Sequence, residues 1–390
     1  MNPVLKKAYW ALAGMGALYF VSLGFLMNPW VQNNALYMHK LQTTWRKDLT
    51  KPEQFGFAKN QVTPFYLSTS DGERIFAWHV LPLGLYKAHR DELVKQEDGL
   101  KSDVLFDSEN IKLLMSDPEA RLIIHFHGNA GTLGSGWRPT YLRSLSAADS
   151  SKIHILGIDY RGYGLSTGTP SEEGLIADGL AAVDWAINIV GLSPSRIALV
   201  GQSLGTGVAI GVAERLATNP LNPIELGAVI TIAAFSNIKE LVVTYAIGGV
   251  IPILSPLRPY PFLQSLFGKY IYENWRSDER VISLVKASKK LNLILLHAYN
   301  DFDIPWSHCD ALFYAAANAT LSDGDEPLKY LEVARLKERT DFGVESYRQA
   351  WPEARSKGNS IEQWIVTWGG HNQVVTSAGT SVIVAKALGL

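Results

Sequence analysis

The sequence contains almost no cysteine and carries no excess charge. Cys309 is the only cysteine in 390 residues, so intramolecular disulfides and zinc sites built from several cysteines are excluded. The formal net charge is −1, which argues against a nucleic-acid partner. Hydrophobic residues make up 47% of the chain, which is enough to fill a sizeable core. The composition is therefore that of a folded protein held together by its core.

Charge is also missing from a long segment near the N-terminus. No residue in 8–32 is charged and most are apolar, which exceeds the roughly 20 residues that a bilayer-spanning helix needs. Trp10 and Trp30 stand near its ends, where interfacial anchors are typical. We predict a membrane anchor over residues 1–35. A cleaved signal peptide and a buried globular helix are the alternatives, and the first is disfavoured by the lack of a small-residue cleavage site.

The basic residues around this segment bear on its orientation. Lys6 and Lys7 precede the span, whereas Lys40 follows at a greater distance. The positive-inside rule slightly favours a cytosolic N-terminus, and we expect the rest of the chain in the lumen of the endoplasmic reticulum or another endomembrane. The sequon Asn318-Ala319-Thr320 is compatible with that orientation.

After a polar connecting segment, 36–61, apolar strand-like and helix-like stretches alternate through residues 62–390. Such alternation predicts an α/β fold with a mostly parallel central sheet and helices on both faces. In such folds the active site lies at the carboxyl ends of the strands. The predicted strands are 62–68, 73–81, 121–126, 152–158, 196–200, 226–232, 291–296 and 362–368, and the clearest helices are 172–190 and 204–216.

Three segments depart from this alternation. Residues 85–120 are charged and weakly periodic, which predicts a surface insertion. Residues 236–290 are apolar and broken by proline, which predicts a cap that buries an acyl chain; a packing insertion with no substrate role is the alternative. Residues 321–358 form a second predicted insertion. Its charged residues predict a solvated face, and they are Asp323, Asp325, Glu326, Lys337 and Glu338.

The pentapeptide Gly201-Gln202-Ser203-Leu204-Gly205 stands between a predicted strand and a predicted helix. That context is typical of a nucleophile elbow, a sharp turn that exposes the serine hydroxyl at the top of the sheet. An ordinary Gly/Ser turn is the alternative. We predict Ser203 as the nucleophile of an acyl-transfer reaction.

A serine nucleophile needs a histidine base. His371 stands in Trp368-Gly369-Gly370-His371-Asn372, just beyond the last predicted strand, where glycines allow a mobile loop. His125 lies inside a strand and is interpreted as a core residue, and His297 ends another strand. We predict His371 as the base.

An acid must orient that imidazole, and Asp301 and Asp303 are the candidates after the strand at 291–296. With Asp301 the chain order is Ser203, Asp301, His371, which is the order of alpha/beta-hydrolases and differs from the orders in chymotrypsin and subtilisin. The catalytic triad predicted here is therefore of that type.

The oxyanion must be stabilised by backbone N–H groups. One is expected from Leu204, the residue after the nucleophile. The second is expected from the loop 127–131 after an earlier strand, with Asn129 favoured and Gly128 or Ala130 as alternatives.

The segments His125-Phe126-His127-Gly128-Asn129-Ala130-Gly131-Thr132 and Asp159-Tyr160-Arg161-Gly162-Tyr163-Gly164-Leu165-Ser166 resemble motifs of ABHD-type serine hydrolases. Together with the pentapeptide and the Asp301 and His371 loops, the resemblance spans about residues 60–390. It is closest to the membrane-anchored branch that contains monoacylglycerol lipases, lysophosphatidylserine lipases and fungal relatives.

The resemblance also assigns roles to single residues. In that family the acid lies in an Asp-x-x-Val-Pro pattern, which Asp301-Phe302-Asp303-Ile304-Pro305 matches with isoleucine for valine, and this selects Asp301. Asp159 and Arg161 belong to the family motif without a triad role and are interpreted as structural. The insertion at 321–358 and the residue Asn300 depart from the family pattern.

The expected function is a membrane-anchored serine hydrolase that cleaves carboxylic esters of lipids, a monoacylglycerol or a lysophospholipid, through an acyl-enzyme on Ser203. A peptidase or amidase on the same fold is one alternative, and a non-catalytic membrane protein that retains the fold is another. No metal or organic cofactor is implied.

Overall fold

The computed structural model describes residues 2–41, 43–101, 108–247, 251–322 and 324–390. The strands are β1 Val62–Ser68, β2 Arg74–Val80, β3 Arg121–Phe126, β4 Ile153–Ile158, β5 Ile197–Gln202, β6 Ala228–Ile232, β7 Ala246–Ile247, β8 Ile251–Pro252, β9 Asn292–Ala298, β10 Glu338–Gly343, β11 Ser346–Ala350 and β12 Ser360–Val366. The helices are α1 Pro3–Leu26, α2 Pro29–Tyr37, α3 Leu83–Ala88, α4 Arg90–Leu93, α5 Glu109–Ser116, α6 Arg138–Ser146, α7 Glu172–Asp184, α8 Leu204–Ala217, α9 Ile238–Thr244, α10 Pro261–Gly268, α11 Ser277–Ala287, α12 Ser307–Asn318, α13 Tyr330–Leu336, α14 Pro352–Ser356, α15 Gly370–Gln373 and α16 Ala378–Ala387.

Ten of the described strands form one twisted sheet in the order β1-β2-β4-β3-β5-β6-β9-β12-β11-β10. The six central strands, β4 to β12, are parallel, and antiparallel strands close both ends. The central strands are buried on both faces and read as continuous apolar runs, as expected for parallel strands covered by helices. The predicted α/β fold class is confirmed.

Side chains of β5 show how the two faces divide. Ile197 and Leu199 point into a core cluster with α7, α8, α11 and α12, whereas Ala198 and Val200 point into a second cluster with α6 and α16. Successive residues of a strand face opposite sides of the sheet, so one apolar run serves both layers. The carboxyl ends of the parallel strands all open at one edge, which gathers the loops that follow them.

Two segments outside the central sheet have side chains buried in the body of the protein. The connecting segment 36–61 contributes Tyr37, Leu49 and Phe55, which are buried. The predicted surface insertion 85–120 contains α4 and α5, which bury Leu93 and Ile111; its residues 102–107 lie outside the described residues. Most of the other described residues in 85–120 are exposed or half-buried, so this segment lies at the surface and a few apolar side chains attach it to the core.

The second predicted insertion, 321–358, contains a hairpin that the sequence did not indicate. β10 pairs with β11, and β11 joins the central sheet by antiparallel pairing to β12, with Tyr347 opposite Ile365. Asp325, Glu326 and Glu338 are exposed as predicted, Lys337 is half-buried, and Asp323 lies outside the described residues. Exposed β10 side chains are mostly polar, so hydrophobic alternation cannot identify this edge strand.

The N-terminal helix α1 is long enough and apolar enough to cross a membrane. Its 24 residues correspond to about 36 Å at 1.5 Å per residue. Nearly all of its side chains are exposed, which is incompatible with a buried globular helix, although a signal sequence passes the same length and composition test. One face touches the protein: the Tyr19 hydroxyl donates to the Ile253 carbonyl at 2.7 Å, and Leu23 is buried against Leu254 and Leu257.

The segment between β6 and β9 holds residues 236–290, for which the sequence predicts a cap. It contains α9, the short β7–β8 pair and α10, with residues 248–250 outside the described residues. The helix that follows, α11, packs on α8 and α12 within the main body. Trp275, between α10 and α11, is completely buried and ties this segment to the core.

Candidate active site

Ser203 occupies the turn between β5 and α8. Its backbone has φ 54° and ψ −120°, a conformation that non-glycine residues rarely adopt and that needs support from its surroundings. A Cβ atom on Gly201 would lie 2.2 Å from the Gly205 carbonyl oxygen, and one on Gly205 would lie 2.0 Å from that of Phe126. The two glycines of the pentapeptide are therefore required for the chain to turn so tightly.

The loop after β3 lies directly against the serine. A Cβ atom on Gly128 would lie 3.2 Å from Cβ of Ser203 and 2.7 Å from Oε1 of Gln202. Among the predicted donors in this loop, the Ala130 N–H is already engaged, since it donates to the Tyr37 carbonyl at 2.9 Å. Asn129 and Gly128 remain as candidates. Leu204 is the first residue of α8, where N–H groups have no partner within the helix.

The predicted acid and base are in contact. Nδ1 of His371 lies 2.9 Å from Oδ2 of Asp301. The other oxygen of Asp301 accepts the N–H groups of Asp303 and Ile304, each at 2.9 Å, and Nε2 of His297 lies 3.3 Å from Oδ2. Asp301 is thus the carboxylate that orients His371, while the Asp303 side chain is half-buried beside it.

These contacts displace both pKa values. Burial favours the protonated form of Asp301, but hydrogen bonds from His297 and His371 outweigh it and hold the pKa of the Asp301 carboxyl well below its usual range. Burial opposes the charged form of His371, yet the hydrogen bond to Asp301 and its negative charge raise the pKa of His371 above its ordinary value. The pair is therefore an ionised carboxylate that stabilises an imidazolium.

The loop carrying His371 is fixed by two residues to which the sequence analysis assigned no role. Oδ1 of Asn300 accepts the N–H of Gly370 at 2.9 Å, and Nε2 of Gln202 donates to the His371 carbonyl at 3.1 Å. Gln202 precedes Ser203, so this contact joins the histidine loop to the elbow. Their only sequence signal is position: Gln202 lies inside the pentapeptide, and Asn300 directly precedes Asp301.

In the described part of the chain no hydrogen bond joins the Ser203 hydroxyl to the His371 imidazole. Catalytic hydrogen bonds commonly tighten only when substrate is bound. A cavity of about 370 Å³ borders His371 and is lined in part by Trp137, Phe302 and Asp303. A larger one of about 730 Å³, lined mostly by charged residues such as Glu172 and Arg276, includes none of the predicted site residues.

Asp301, Asp303 and His371 also bring their ligand atoms within 4.8 Å of one another, a spacing that a metal ion could use. The hydrogen bond between Nδ1 of His371 and Oδ2 of Asp301 uses two of those atoms. The arrangement is that of an oriented imidazole, and it needs no ion to explain it.

A second aspartate, Asp159, follows β4 at the same edge. Oδ1 accepts the N–H of Leu133 at 2.7 Å and lies 3.4 Å from Nε2 of His127. Burial raises the pKa of Asp159 to about 7, against the opposing charge of Arg138. Asp159 therefore contacts the loop after β3 through Leu133 and His127, which is consistent with a structural role.

Arg161, the other family-motif residue interpreted as structural, binds two carboxylates away from the serine. Its Nε lies 2.8 Å from Asp178, and its Nη1 lies 2.7 Å from Asp71 in the turn between β1 and β2.

Comparison with known proteins shows the family of this chain. A sequence profile of the alpha/beta hydrolase family matches residues 123–374. Lysophosphatidylserine lipase ABHD12 of Xenopus tropicalis is 30% identical over 77% of this chain and 70% of its own length, and the Danio rerio protein of that name is 29% identical over 76% and 69%. Human protein ABHD12B is 29% identical over 73% of this chain and 69% of its own.

Among solved structures, the esterase Pf2001 of Pyrococcus furiosus superposes with a TM-score of 0.50 at 12% identity. The match covers 89% of this chain and 97% of the esterase, and it supports the fold alone. The matched profile covers more than half of the sequence and includes the pentapeptide and the Asp301 and His371 loops. The chain belongs to the alpha/beta hydrolase family.

Proposed function

We propose that the protein is a membrane-anchored serine hydrolase that cleaves carboxylic esters of lipids, with Ser203 as nucleophile, His371 as base and Asp301 as the orienting acid. One observation carries this proposal. Ser203 sits in a strained turn, the loop 127–131 lies against it, and the neighbouring Gln202 donates to the carbonyl of His371, whose imidazole pairs with Asp301. That combination is the machinery of acyl transfer.

In the proposed reaction the Ser203 hydroxyl oxygen attacks the ester carbonyl carbon while its proton passes to Nε2 of His371. The carbonyl electron pair moves to the oxygen, and the N–H groups of Leu204 and Asn129 stabilise the resulting oxyanion. The intermediate collapses, the alcohol leaves with the proton from His371, and the acyl group stays on Ser203. A water molecule, activated by the same imidazole, then releases the fatty acid.

A lipid substrate is supported by the contact between α1 and the cap. Tyr19 and Leu23 lie in the last two turns of α1, and they touch the cap at Ile253, Leu254 and Leu257. If α1 spans the bilayer, the cap lies beside it at the level of the lipid. Relatives whose name is lysophosphatidylserine lipase favour a lysophospholipid over a monoacylglycerol.

The proposed segments are an anchor at 1–35, a connecting segment at 36–61 and a hydrolase domain at 62–390. Because α11 packs with α8 and α12, we end the cap of the 236–290 segment before α11, near residue 276. The proposed location is the endoplasmic reticulum or another endomembrane, with the hydrolase domain on the lumenal side.

Ser203→Ala tests the proposal. The full chain in detergent is expected to lose hydrolysis of lysophosphatidylserine and labelling by a fluorophosphonate probe, whereas Ser195→Ala, an exposed serine before β5, keeps both. Full activity of Ser203→Ala would refute the mechanism. Turnover of aminopeptidase substrates above that of lysophosphatidylserine and monoacylglycerol would refute the substrate class.

The sequon at Asn318 is a poor reporter of orientation. The Asn318 amide bonds to the carbonyl of Tyr314 and to both backbone groups of Leu328, and Thr320 is buried. Val344→Asn instead creates an Asn-Glu-Ser sequon on an exposed turn. A glycosidase-sensitive mass shift in that variant alone is expected, and its absence would contradict the lumenal orientation.

A further inference from the structure

The loop after β3 turns its carbonyl groups toward one buried side chain. Nη2 of Arg138, the first residue of α6, donates to the carbonyls of Gly128 at 2.8 Å, Asn129 at 2.8 Å and Ala130 at 2.5 Å. Its Nη1 donates to the carbonyl of Thr132 at 2.8 Å. The guanidinium is buried, and burial lowers the pKa of Arg138, although Asp159 and neighbouring tyrosines counter that effect. One side chain thus binds four carbonyls of this loop.

These contacts fix the direction of the N–H groups. In a trans peptide the N–H of one residue points opposite to the carbonyl of the residue before it, and the described chain has no cis peptide. The Gly128 carbonyl faces Arg138, so the Asn129 N–H faces away from it. Ala130 and Gly131 have φ of 60° and 62°, the left-handed conformation that turns successive carbonyls to the same side.

The juxtamembrane helix α2 holds the loop from the opposite side. The carbonyl of Tyr37, its last residue, accepts the Ala130 N–H at 2.9 Å and the Tyr163 hydroxyl at 2.7 Å. The Tyr37 hydroxyl donates to Glu273 at 2.9 Å and accepts Nε1 of Trp275 at 3.2 Å. The segment that follows the membrane helix is therefore built into the wall of the site and into the end of the cap.

We propose that Arg138 is a positioning residue which aims the oxyanion donor. It holds the loop carbonyls inward, the Tyr37 carbonyl takes up the Ala130 N–H, and the Asn129 N–H is left as the donor for the oxyanion. This inference rests on the proposed serine hydrolase function. Arg138 itself touches no reacting atom.

Arg138→Lys in the full chain in detergent tests the inference, because an ammonium on an unbranched chain cannot reach four carbonyls at once. With p-nitrophenyl butyrate we expect kcat to fall about tenfold to a hundredfold, because the donor is misaimed but still present, and its complete loss would cost about 10²–10³. KM should change little, and the acid limb of the pH profile should stay in place because the Asp301–His371 pair is intact.

The inhibition constant of a trifluoromethyl ketone is a second measurement, and a general loss of stability would not change it. Ser203 adds to its carbonyl to give a tetrahedral oxyanion, so its inhibition constant should rise in Arg138→Lys by about the same factor as kcat/KM falls. Arg143→Lys is the matched control, since Arg143 lies on the same helix and contacts the carbonyl of Phe55. It should retain the kcat and the inhibition constant of the unaltered protein.

Unchanged kcat and inhibitor affinity in a folded Arg138→Lys protein would overturn the inference. If that variant does not fold, Asn129→Pro removes the proposed donor directly, and Asn129→Ala keeps the N–H while removing the side chain. The proline variant should lose at least about tenfold more kcat than the alanine variant, and equal losses would overturn the assignment. Ser203→Ala distinguishes failure of this inference from failure of the proposed function, because retained activity in Ser203→Ala would refute the proposed function itself.

Discussion

Two buried aspartates face histidines at the same edge of the sheet, yet their environments differ in kind. Asp301 follows β9 and receives two backbone N–H groups and two imidazoles. Asp159 follows β4 and receives one backbone N–H, while its Oδ2 has no hydrogen-bond partner in the described structure. The pKa of Asp301 is lowered, and burial raises that of Asp159 to about 7.

Burial raises the pKa of both carboxyls, and only at Asp301 do the hydrogen-bond donors outweigh it. The pKa values of the neighbouring histidines, His127 and His371, also shift in opposite directions. Burial and the charge of Arg138 hold the pKa of His127 well below its ordinary value, whereas Asp301 raises that of His371. Of these two pairs, Asp301–His371 is the one whose histidine has a raised pKa, which suits it to accept and return the serine proton.

The largest expected effect comes from Asp301→Asn. The amide keeps the shape but does not stabilise an imidazolium, so kcat should fall by about 10⁴ while the melting temperature changes little. Steady-state hydrolysis of a soluble ester measures it. Asp303→Asn is the matched control two residues away, and a comparable loss in that variant would mean that the acid has been assigned to the wrong carboxylate.

The pH dependence of kcat/KM should also report the pairing of Asp301 with His371, with a smaller effect than Asp301→Asn has on kcat. His371 must be neutral to accept the serine proton, so kcat/KM should fall about tenfold per pH unit below its pKa. Because that pKa is raised, the acid limb should lie above the value of about 6.5 expected for a free imidazole. In the residual activity of Asp301→Asn the limb should move to lower pH, and a limb that does not move would refute the coupling.

His297→Gln should have an intermediate effect. Nε2 of His297 lies 3.3 Å from Asp301 and 2.9 Å from the Ile304 carbonyl, so it helps to fix the carboxylate. Loss of one such hydrogen bond costs about 1 kcal/mol, which corresponds to about a fivefold lower kcat. Kinetics beside thermal unfolding measure it, and a 10⁴-fold loss would instead make His297 part of the chemistry.

The smallest effect on activity is expected from Asp159→Asn. This substitution should instead change how the free energy of unfolding depends on pH. Between about pH 4 and pH 7 the folded protein keeps a proton on Asp159 that the unfolded chain has lost, so this group makes the free energy of unfolding fall as pH rises. The amide cannot titrate. Urea unfolding at pH 5 and pH 7 should therefore show a flatter pH dependence in the variant, and an unchanged slope would contradict the raised pKa.

Much of the candidate site at the carboxyl edge of the sheet could be predicted, because it follows local sequence rules. Strand β5, the pentapeptide and α8 are contiguous, so the turn at Ser203 needs no knowledge of the fold. The acid was less certain from chemistry alone, since Asp301 and Asp303 follow the same strand. The family pattern selected Asp301, and the 2.9 Å contact with His371 supports that selection.

Other parts could not be predicted because their partners are distant in the chain. Arg138 follows a Gly- and Ser-rich stretch that reads as a surface turn, and its partners are carbonyl oxygens, which have no sequence signature. Tyr37 belongs to the predicted polar connecting segment, and it contacts Glu273 and Trp275, more than 230 residues away. The hairpin of β10 and β11 is mostly polar, and it joins the sheet through the pairing of β11 with β12.

The sequence by itself determined the layers of the fold, the elbow at Ser203 and the apolar helix before the hydrolase domain, because apolar periodicity and glycine constraints are local. Only the tertiary structure decided how the carboxyls ionise, which N–H of the loop after β3 is already engaged and how closely α2 joins the site. Those properties depend on burial and on hydrogen-bond donors that strands far apart in sequence bring together.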